Sequence, residues 1–299
     1  MEQGYHTPVL LHDSIEGLSI KGDGAYVDVT FGGGGHSKAI LERLDSGRLY
    51  AFDQDPDALG EEIDDERFVF IRQNFQFLKN NLRLHGVISI DGLLADLGVS
   101  SHQFDIPERG FSTRFDAPLD MRMDQDRELT ARLVLHEYGK EDLKAVFWRG
   151  SDLRGVGRLV DSIISARDQG LETTEDLKRA LQRVTPHRKG AQFLAQVFQA
   201  IRIEVNEELK ALETMLTQVI DILEPGGRLV VISYHSIEDR MVKNFIRSGN
   251  AEGKVDKDIY GRSEIPLKAI NRKVIVPSEE EIENNPRARS AKLRIAEKL

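Results

Sequence analysis

The densest chemistry in the sequence lies in Asp28-Val29-Thr30-Phe31-Gly32-Gly33-Gly34-Gly35-His36-Ser37. A run of glycines lets the backbone approach a ligand closely and supplies positive φ where a bend needs it. Three ligands compete for such a loop, beside the plainer reading of a tight structural turn. A mononucleotide P-loop ends in Gly-Lys-Ser/Thr, and Gly35-His36-Ser37-Lys38 does not provide that. The dinucleotide fingerprint wants a third small residue for close helix packing, which Gly32-x-Gly34-x-x-Ser37 meets imperfectly. S-adenosylmethionine has no pyrophosphate to hold, and an acid beside the glycines, Asp28, suits its sulfonium and ammonium charges. Further along, Asp53 in Ala51-Phe52-Asp53-Gln54-Asp55 is placed to accept both hydroxyls of a ribose. An acid there serves NAD or S-adenosylmethionine equally, so the glycine loop separates the two.

The elements that must position these groups alternate. Ala25 to Phe31, Arg48 to Asp53, Phe68 to Ile71 and Ile88 to Leu97 read as strands. Between them lie helical stretches near Ser37 to Leu44, after Pro56, and around Phe77, Leu78, Leu82 and Leu84. Strands alternating with helices predict an α/β fold with a parallel sheet and helices on both faces. Ligands of such sheets sit at the carboxyl ends of the strands, which is where Asp28 and Asp53 fall. From about Phe104 to Ala195 the sequence turns mostly helical, with short helices predicted at Leu129 to Leu135, Glu141 to Trp148 and Leu159 to Ala166. An amphipathic helix through Leu209, Leu212, Leu216, Val219, Ile220 and Leu223 follows. Glu224 to Gly227 ends it, Arg228 to Tyr234 is a fifth strand, Ser248 to Lys273 is a polar excursion, and Ser290 to Ala296 a closing strand. The expected domains are therefore a discontinuous sheet domain, 1–104 with 196–299, and an inserted helical domain, 105–195.

Composition narrows the function classes. The chain has 299 residues, 40% of them hydrophobic, enough for a substantial core. It contains no cysteine, which excludes disulfides, cysteine-ligated zinc or iron–sulfur sites and a thiol nucleophile. No metal site is assigned. No apolar run approaches the roughly 20 residues of a membrane span, and Met1 to His6 lack the pattern of a signal peptide, so a cytoplasmic protein without membrane contact is expected. The net charge of −9 argues against unselective polyanion binding, although 41 Lys and Arg leave room for a local basic face.

Longer motifs run the length of the chain. They are His6-Thr7-Pro8-Val9-Leu10-Leu11, Gly34-Gly35-His36-Ser37, Ala95-Asp96-Leu97-Gly98-Val99-Ser100-Ser101-His102-Gln103, Glu108-Arg109-Gly110-Phe111-Ser112 and Pro118-Leu119-Asp120-Met121-Arg122-Met123-Asp124. Phe198 to Asn206, Ile232 to Arg240 and Asn285 to Ser290 complete the set. In this order they resemble the MraW (RsmH) family of S-adenosylmethionine-dependent methyltransferases. Its members methylate the N4 amine of a cytosine in the decoding region of small-subunit (16S) ribosomal RNA. The resemblance implies a Rossmann-like class I methyltransferase sheet and cofactor contacts at Gly34, Gly35, His36, Asp53, Phe75, Asp96 and Gln103. It also implies the small ribosomal subunit as partner, and leaves room for a homodimer. Tyr234 stands where Phe is common in the family, and Gly150 to Arg158 is less basic than the family pattern.

The amine of cytosine is a poor nucleophile, so alignment with the methyl donor and an acceptor for its hydrogens carry the catalysis. The (Asp/Asn/Ser)-Pro-Pro-aromatic tetrad of many amino-methyltransferases is absent, and Asp96-Leu97-Gly98-Val99 takes its place. Asp96, helped by Ser100 or Ser101, is the expected orienting group. His235 is either a second contact to the base or a capping residue at a strand end. Arg202 and Asn206, one helical turn apart, can share a helix face, with Arg202 either meeting a phosphate or forming an internal ion pair. Lys178, Arg179, Arg183, His187, Arg188 and Lys189, with Arg287, Arg289, Lys292 and Arg294, are candidate phosphate contacts. Rival readings remain open: a methyltransferase acting on a protein or metabolite, a ribosome-assembly factor that binds the cofactor without turnover, or more remotely a nicotinamide-dependent oxidoreductase.

Overall fold

The structure, a computed structural model, describes residues 8–60, 63–255 and 265–299. His6 and Thr7 of the first motif, and 256–264 of the polar stretch, lie outside the described residues. The chain divides into two compact units, residues 1–98 with 209–299, and residues 99–208.

In the first unit, α1 (Leu11–Leu18), β1 (Ala25–Asp28), α2 (Gly35–Leu41), β2 (Arg48–Asp53), β3 (Phe68–Arg72), α3 (Leu78–Leu84) and β4 (Ile90–Asp96) come before the second unit in the chain. The second unit holds α4 (Ser101–Asp105), α5 (Ala131–Glu137), α6 (Lys140–Gly150), α7 (Val156–Ala166), α8 (Thr174–Leu181) and α9 (Gly190–Asn206). The first unit then resumes with α10 (Glu208–Ile222), β5 (Leu223–Ser233), α11 (Ser236–Ser248), β6 (Leu267–Ala269), α12 (Glu279–Asn284) and β7 (Lys292–Lys298). Among the described residues, seven strands form one sheet in the order β3-β2-β1-β4-β5-β7-β6. β1 to β5 pair in parallel, whereas β7 runs antiparallel to both β5 and β6.

Period-two alternation along the strands divides the core between the two faces of the sheet. Val27, Val29, Leu93, Ala95, Leu229 and Val231 pack with Leu78 and Leu82 of α3, Leu212 and Leu216 of α10, and Phe245 of α11. Tyr26, Leu49, Leu94, Val230 and Ile232 pack on the opposite side with Ile15 and Leu18 of α1 and Ile40 and Leu41 of α2. The expected helix-covered α/β sheet is therefore present. The register of β1 and β4 leaves Asp28 and Asp96 at the ends of neighbouring parallel strands.

Details differ from the sequence expectation. β5 starts at Leu223 and keeps Glu224 to Gly227 as a bulge: Ile90 pairs with Leu223 but Gly92 already pairs with Arg228, and Gly226 takes φ 80°. Pro56 opens a short 3-10 turn rather than an α-helix. The polar excursion contains β6, three residues long, whose pairing with β7 is non-local and invisible to periodicity.

The second unit has a separate core, including Val134, Leu135, Leu143, Phe147, Val160, Ile163, Leu177, Leu181, Phe198 and Ile201. Its borders fall outside the expected 105 and 195. Val99 and Phe104 pack against this core, and α9 runs unbroken from Gly190 to Asn206. A boundary at 195 would cut through that helix.

Candidate active site

The glycine loop is built by groups within it. Asp28 is fully buried and turned onto its own loop: Ser37 Oγ donates to Oδ2 at 2.7 Å, and the Thr30 amide to Oδ1 at 3.0 Å. Burial pushes this carboxyl up from its ordinary range, with Ser37 and Thr30 opposing. Asp28 therefore holds the bend, and the expected presentation of its charge to a ligand is not what this geometry shows. Two glycines are required for steric reasons. Gly34 has φ 73° with the Phe31 ring 2.9 Å from where a Cβ would stand, and a Cβ on Gly35 would sit 2.2 Å from Cγ of Pro8. Gly33, by contrast, has nothing within 4 Å of that position, so the loop is open there.

Asp53 ends β2 and ties the loop to the sheet. Its Oδ2 accepts from the Gly32 amide at 2.8 Å and its Oδ1 from the Asp55 amide at 2.9 Å. Burial pushes its carboxyl up to about 6, against those two amides. Beside it, Asn74 Nδ2 donates to Gln54 Oε1 at 2.7 Å, and Asn74 Oδ1 caps the turn that carries Phe75 by accepting from the Gln76 amide. Phe75 is thus fixed at the carboxyl end of β3, half-buried against the core.

Asp96 closes β4. Its amide donates to Thr30 Oγ1 at 2.6 Å, its Oδ1 accepts from the Tyr234 hydroxyl at 2.8 Å, and its Oδ2 lies 3.9 Å from His36 Nδ1. His36 is buried, with Nε2 3.2 Å from the Val9 carbonyl. A carbonyl can only accept, so Nε2 carries the hydrogen, and a neutral ring then turns a bare Nδ1 toward Asp96. Burial lowers the His36 pKa, which keeps the ring neutral. Burial also pushes the Asp96 carboxyl up to about 6, opposed by the Tyr234 hydrogen bond. The Asp96 side chain nonetheless keeps 23% of its exposure, enough for a ligand to reach it.

The structure thus brings His36 and Asp96 together, and sets Gly34, Gly35, Asp53 and Phe75 along the same strand ends. His235 follows β5 as the N-cap of α11, its Nδ1 accepting from the Glu238 amide at 3.4 Å, and its Nε2 stands 3.0 Å from Glu238 Oε1 without hydrogen-bond alignment. The capping alternative accounts for the Nδ1 contact. Ser100 and Gln103 belong to the second unit, where they form a reciprocal capping box at the start of α4. Thr30 and the Tyr234 hydroxyl, both holding Asp96, had no signal in spacing; only the unusual Tyr marked the second.

The family model described as the MraW methylase family matches residues 3–299. The chain belongs to that family. A protein of Flavobacterium johnsoniae named ribosomal RNA small subunit methyltransferase H is 56% identical over 297 residues, 99% of this chain and 98% of its own. One of the same name from Christiangramia forsetii is 55% identical over the same shares, and one from Parabacteroides distasonis 53% over 99% and 98%. Among the described residues of this MraW methylase, no helix is long and apolar enough to cross a membrane.

Within the family motifs of the second unit, the charged residues are largely satisfied internally. Arg122 grips Asp120 through two nitrogens, at 3.0 and 2.7 Å, and reaches the carbonyls of Gln125 and Arg127. Arg202 makes the same two-pronged contact with Glu208, at 2.8 and 2.9 Å. The internal ion pair, not a displayed phosphate contact, is what the structure shows for Arg202. Of the candidate phosphate contacts, Lys178 and Arg179 pair with Glu175 and Asp176, and Lys292 and Arg294 converge on Asp239. Arg183, His187, Arg188 and Lys189 stand exposed between α8 and α9.

Proposed function

We propose that this MraW methylase uses S-adenosylmethionine to methylate the N4 amine of a cytosine in the decoding region of 16S ribosomal RNA, within the small ribosomal subunit in the cytoplasm. The observation that carries it is end-to-end identity above one half with proteins named for small-subunit ribosomal RNA methylation. The donor set fits the cofactor: an opening at Gly33, a carboxylate at the end of β2 whose oxygens each retain acceptor capacity, and a half-buried aromatic at the end of β3. Gly34, Gly35, His36, Asp53, Phe75 and Asp96 would hold it, with Asp53 on the ribose and Phe75 along the adenine. When bound, the cofactor supplies an electrophilic methyl group on a sulfonium.

The residues of the chain then have to align and desolvate the amine. Asp96 accepts one of its hydrogens, which turns the nitrogen lone pair out of conjugation with the ring and toward the methyl carbon. Held by these residues, the cofactor would give its methyl group to the nitrogen and its sulfur would keep the bonding electron pair. The proton lost from nitrogen passes to Asp96 and on to water, a transfer suited to a carboxyl raised to about 6. A cytosine stacked in a helix presents its amine edge-on and cannot be aligned this way, so the target has to be unpaired or turned out.

The deciding experiment supplies tritiated S-adenosylmethionine to the protein and small subunits from cells lacking it. Label is expected in one cytosine N4 of the particle, and far less in a bare oligonucleotide of the same sequence, because a chain of net charge −9 gains little from phosphate alone. Cofactor binding with no label in any RNA would leave an assembly factor; label in protein would redirect the substrate. A second expectation concerns Asp53. Asp53→Asn should weaken S-adenosylhomocysteine binding by about tenfold to a hundredfold at pH 7.5, the loss of one charge-assisted hydrogen bond. Wild-type affinity should fall as pH drops through about 6, where the acceptor carboxylate takes up a proton, and calorimetry on the variant should show a shallower fall. Unchanged affinity would remove Asp53 from the ribose site.

A further inference from the structure

The two oxygens of Asp96 face different groups. Oδ1 is taken by the Tyr234 hydroxyl at 2.8 Å, while Oδ2 lies 3.9 Å from the bare Nδ1 of His36, beyond hydrogen-bond distance and opposite a second acceptor. The Tyr234 phenol is anchored at its root as well, because its amide donates to Oε2 of the buried Glu238 at 3.2 Å. We propose that Tyr234 is a positioning residue, clamping Oδ1 of Asp96 so that Oδ2 stays free to accept the hydrogen of the incoming amine. This deepens the methyltransferase reading and rests on it, since it assigns Asp96 to the amine.

Charge around the carboxyl supports the same division. The titratable and polar groups facing Asp96 are His36 from α2, Thr30 and Asp28 from β1 and its loop, and Tyr234 and Glu238 from the β5–α11 junction. Asp28 and Glu238 disfavour a charge on Asp96, and burial disfavours it most. The Tyr234 hydroxyl opposes them by donating to the ionised form. A phenol with its own pKa pushed up by burial and by Asp96 remains a donor across the working pH range. The hydroxyl thus orients the carboxylate and keeps it ionised.

Tyr234→Phe removes the hydroxyl and keeps the ring. Methylation of small subunits by the full chain is expected to show kcat lowered about 5- to 50-fold at pH 7.5, with KM for S-adenosylmethionine within about twofold. The acid limb of kcat/KM should sit about 0.5 to 1 pH unit higher, because the charged form of Asp96 has lost a donor. Replacement of Tyr234 by 3-fluorotyrosine, a stronger donor, should move the limb the other way. A purely structural role for the hydroxyl would lower the melting temperature without moving that limb. If wild-type protein methylates subunits and the Phe variant matches it in kcat and in the limb, the positioning role is wrong and the methyltransferase reading stands. If wild-type protein transfers no methyl group at all, the reading fails and takes this proposal with it.

Discussion

Asp96→Asn is expected to slow methyl transfer by about 10²- to 10⁴-fold, the usual contribution of a positioned acceptor of protons, while making the ligand-free protein more stable. The two effects come from one cause. Burial raises the Asp96 carboxyl from 3.8 to about 6, so at neutral pH the folded chain holds a charge that the unfolded chain accommodates more easily. A carboxyl raised in this way contributes stability that is complete below the unfolded value and lost as pH rises through the folded one. At pH 7.5 the ionised Asp96 therefore costs about 1–3 kcal/mol, since each tenfold change in proton affinity is worth about 1.4 kcal/mol. Asn keeps the shape, can still accept from Tyr234, and turns an amide donor toward the bare Nδ1 of His36. Denaturant unfolding of cofactor-free protein should show the variant ahead at pH 7.5 and level with wild type near pH 4. A variant less stable than wild type at pH 7.5 would mean that the carboxylate is held by more favourable contacts than burial opposes. Wild-type turnover would remove Asp96 from the chemistry.

What could be read beforehand follows the range of the interaction. The glycine loop and Asp53 were legible because strand ends next to glycines and acids are local patterns, Asp96 entered through the family resemblance, and the alternation of strands with helices predicted a sheet covered on both faces. The antiparallel sense of β7 was not, since the direction of a closing strand depends on a return path with no periodic signal. The inward turn of Asp28 escaped for a related reason. A side chain at a strand end can face the ligand or its own loop, and only the position of Ser37 Oγ, 2.7 Å away, decides. His235 was equally ambiguous: capping geometry needs the Glu238 amide, which a residue count places nearby but does not aim. The unit border failed where α9 was cut at a compositional change that its hydrogen bonds ignore.

Asn206 carries the largest expected effect on stability. Met121, in the motif Leu119 to Asp124, is buried at φ 61°, a left-handed conformation that costs a non-glycine residue about 1 kcal/mol or more. It persists because its surroundings over-determine it. Asn206, buried near the end of α9, donates to the Met121 carbonyl at 2.8 Å and accepts from the Met123 amide at 2.7 Å, bracketing the strained residue. The Met121 amide donates to the Arg109 carbonyl, and Arg109 in turn donates to the carbonyls of Arg122 and Met123. Asn206→Leu fills the same space but leaves a carbonyl and an amide buried without their partner, at about 1–3 kcal/mol each. A loss of about 3–5 kcal/mol is expected for the second unit, enough to open much of it. Hydrogen exchange on peptides from 99–208 should rise steeply, most of all around Met121. Asn206→Asp should fall between the two, since a carboxylate can accept from the Met123 amide but cannot donate to the Met121 carbonyl. Exchange in the Leu variant equal to wild type would show that Arg109 alone fixes the left-handed turn.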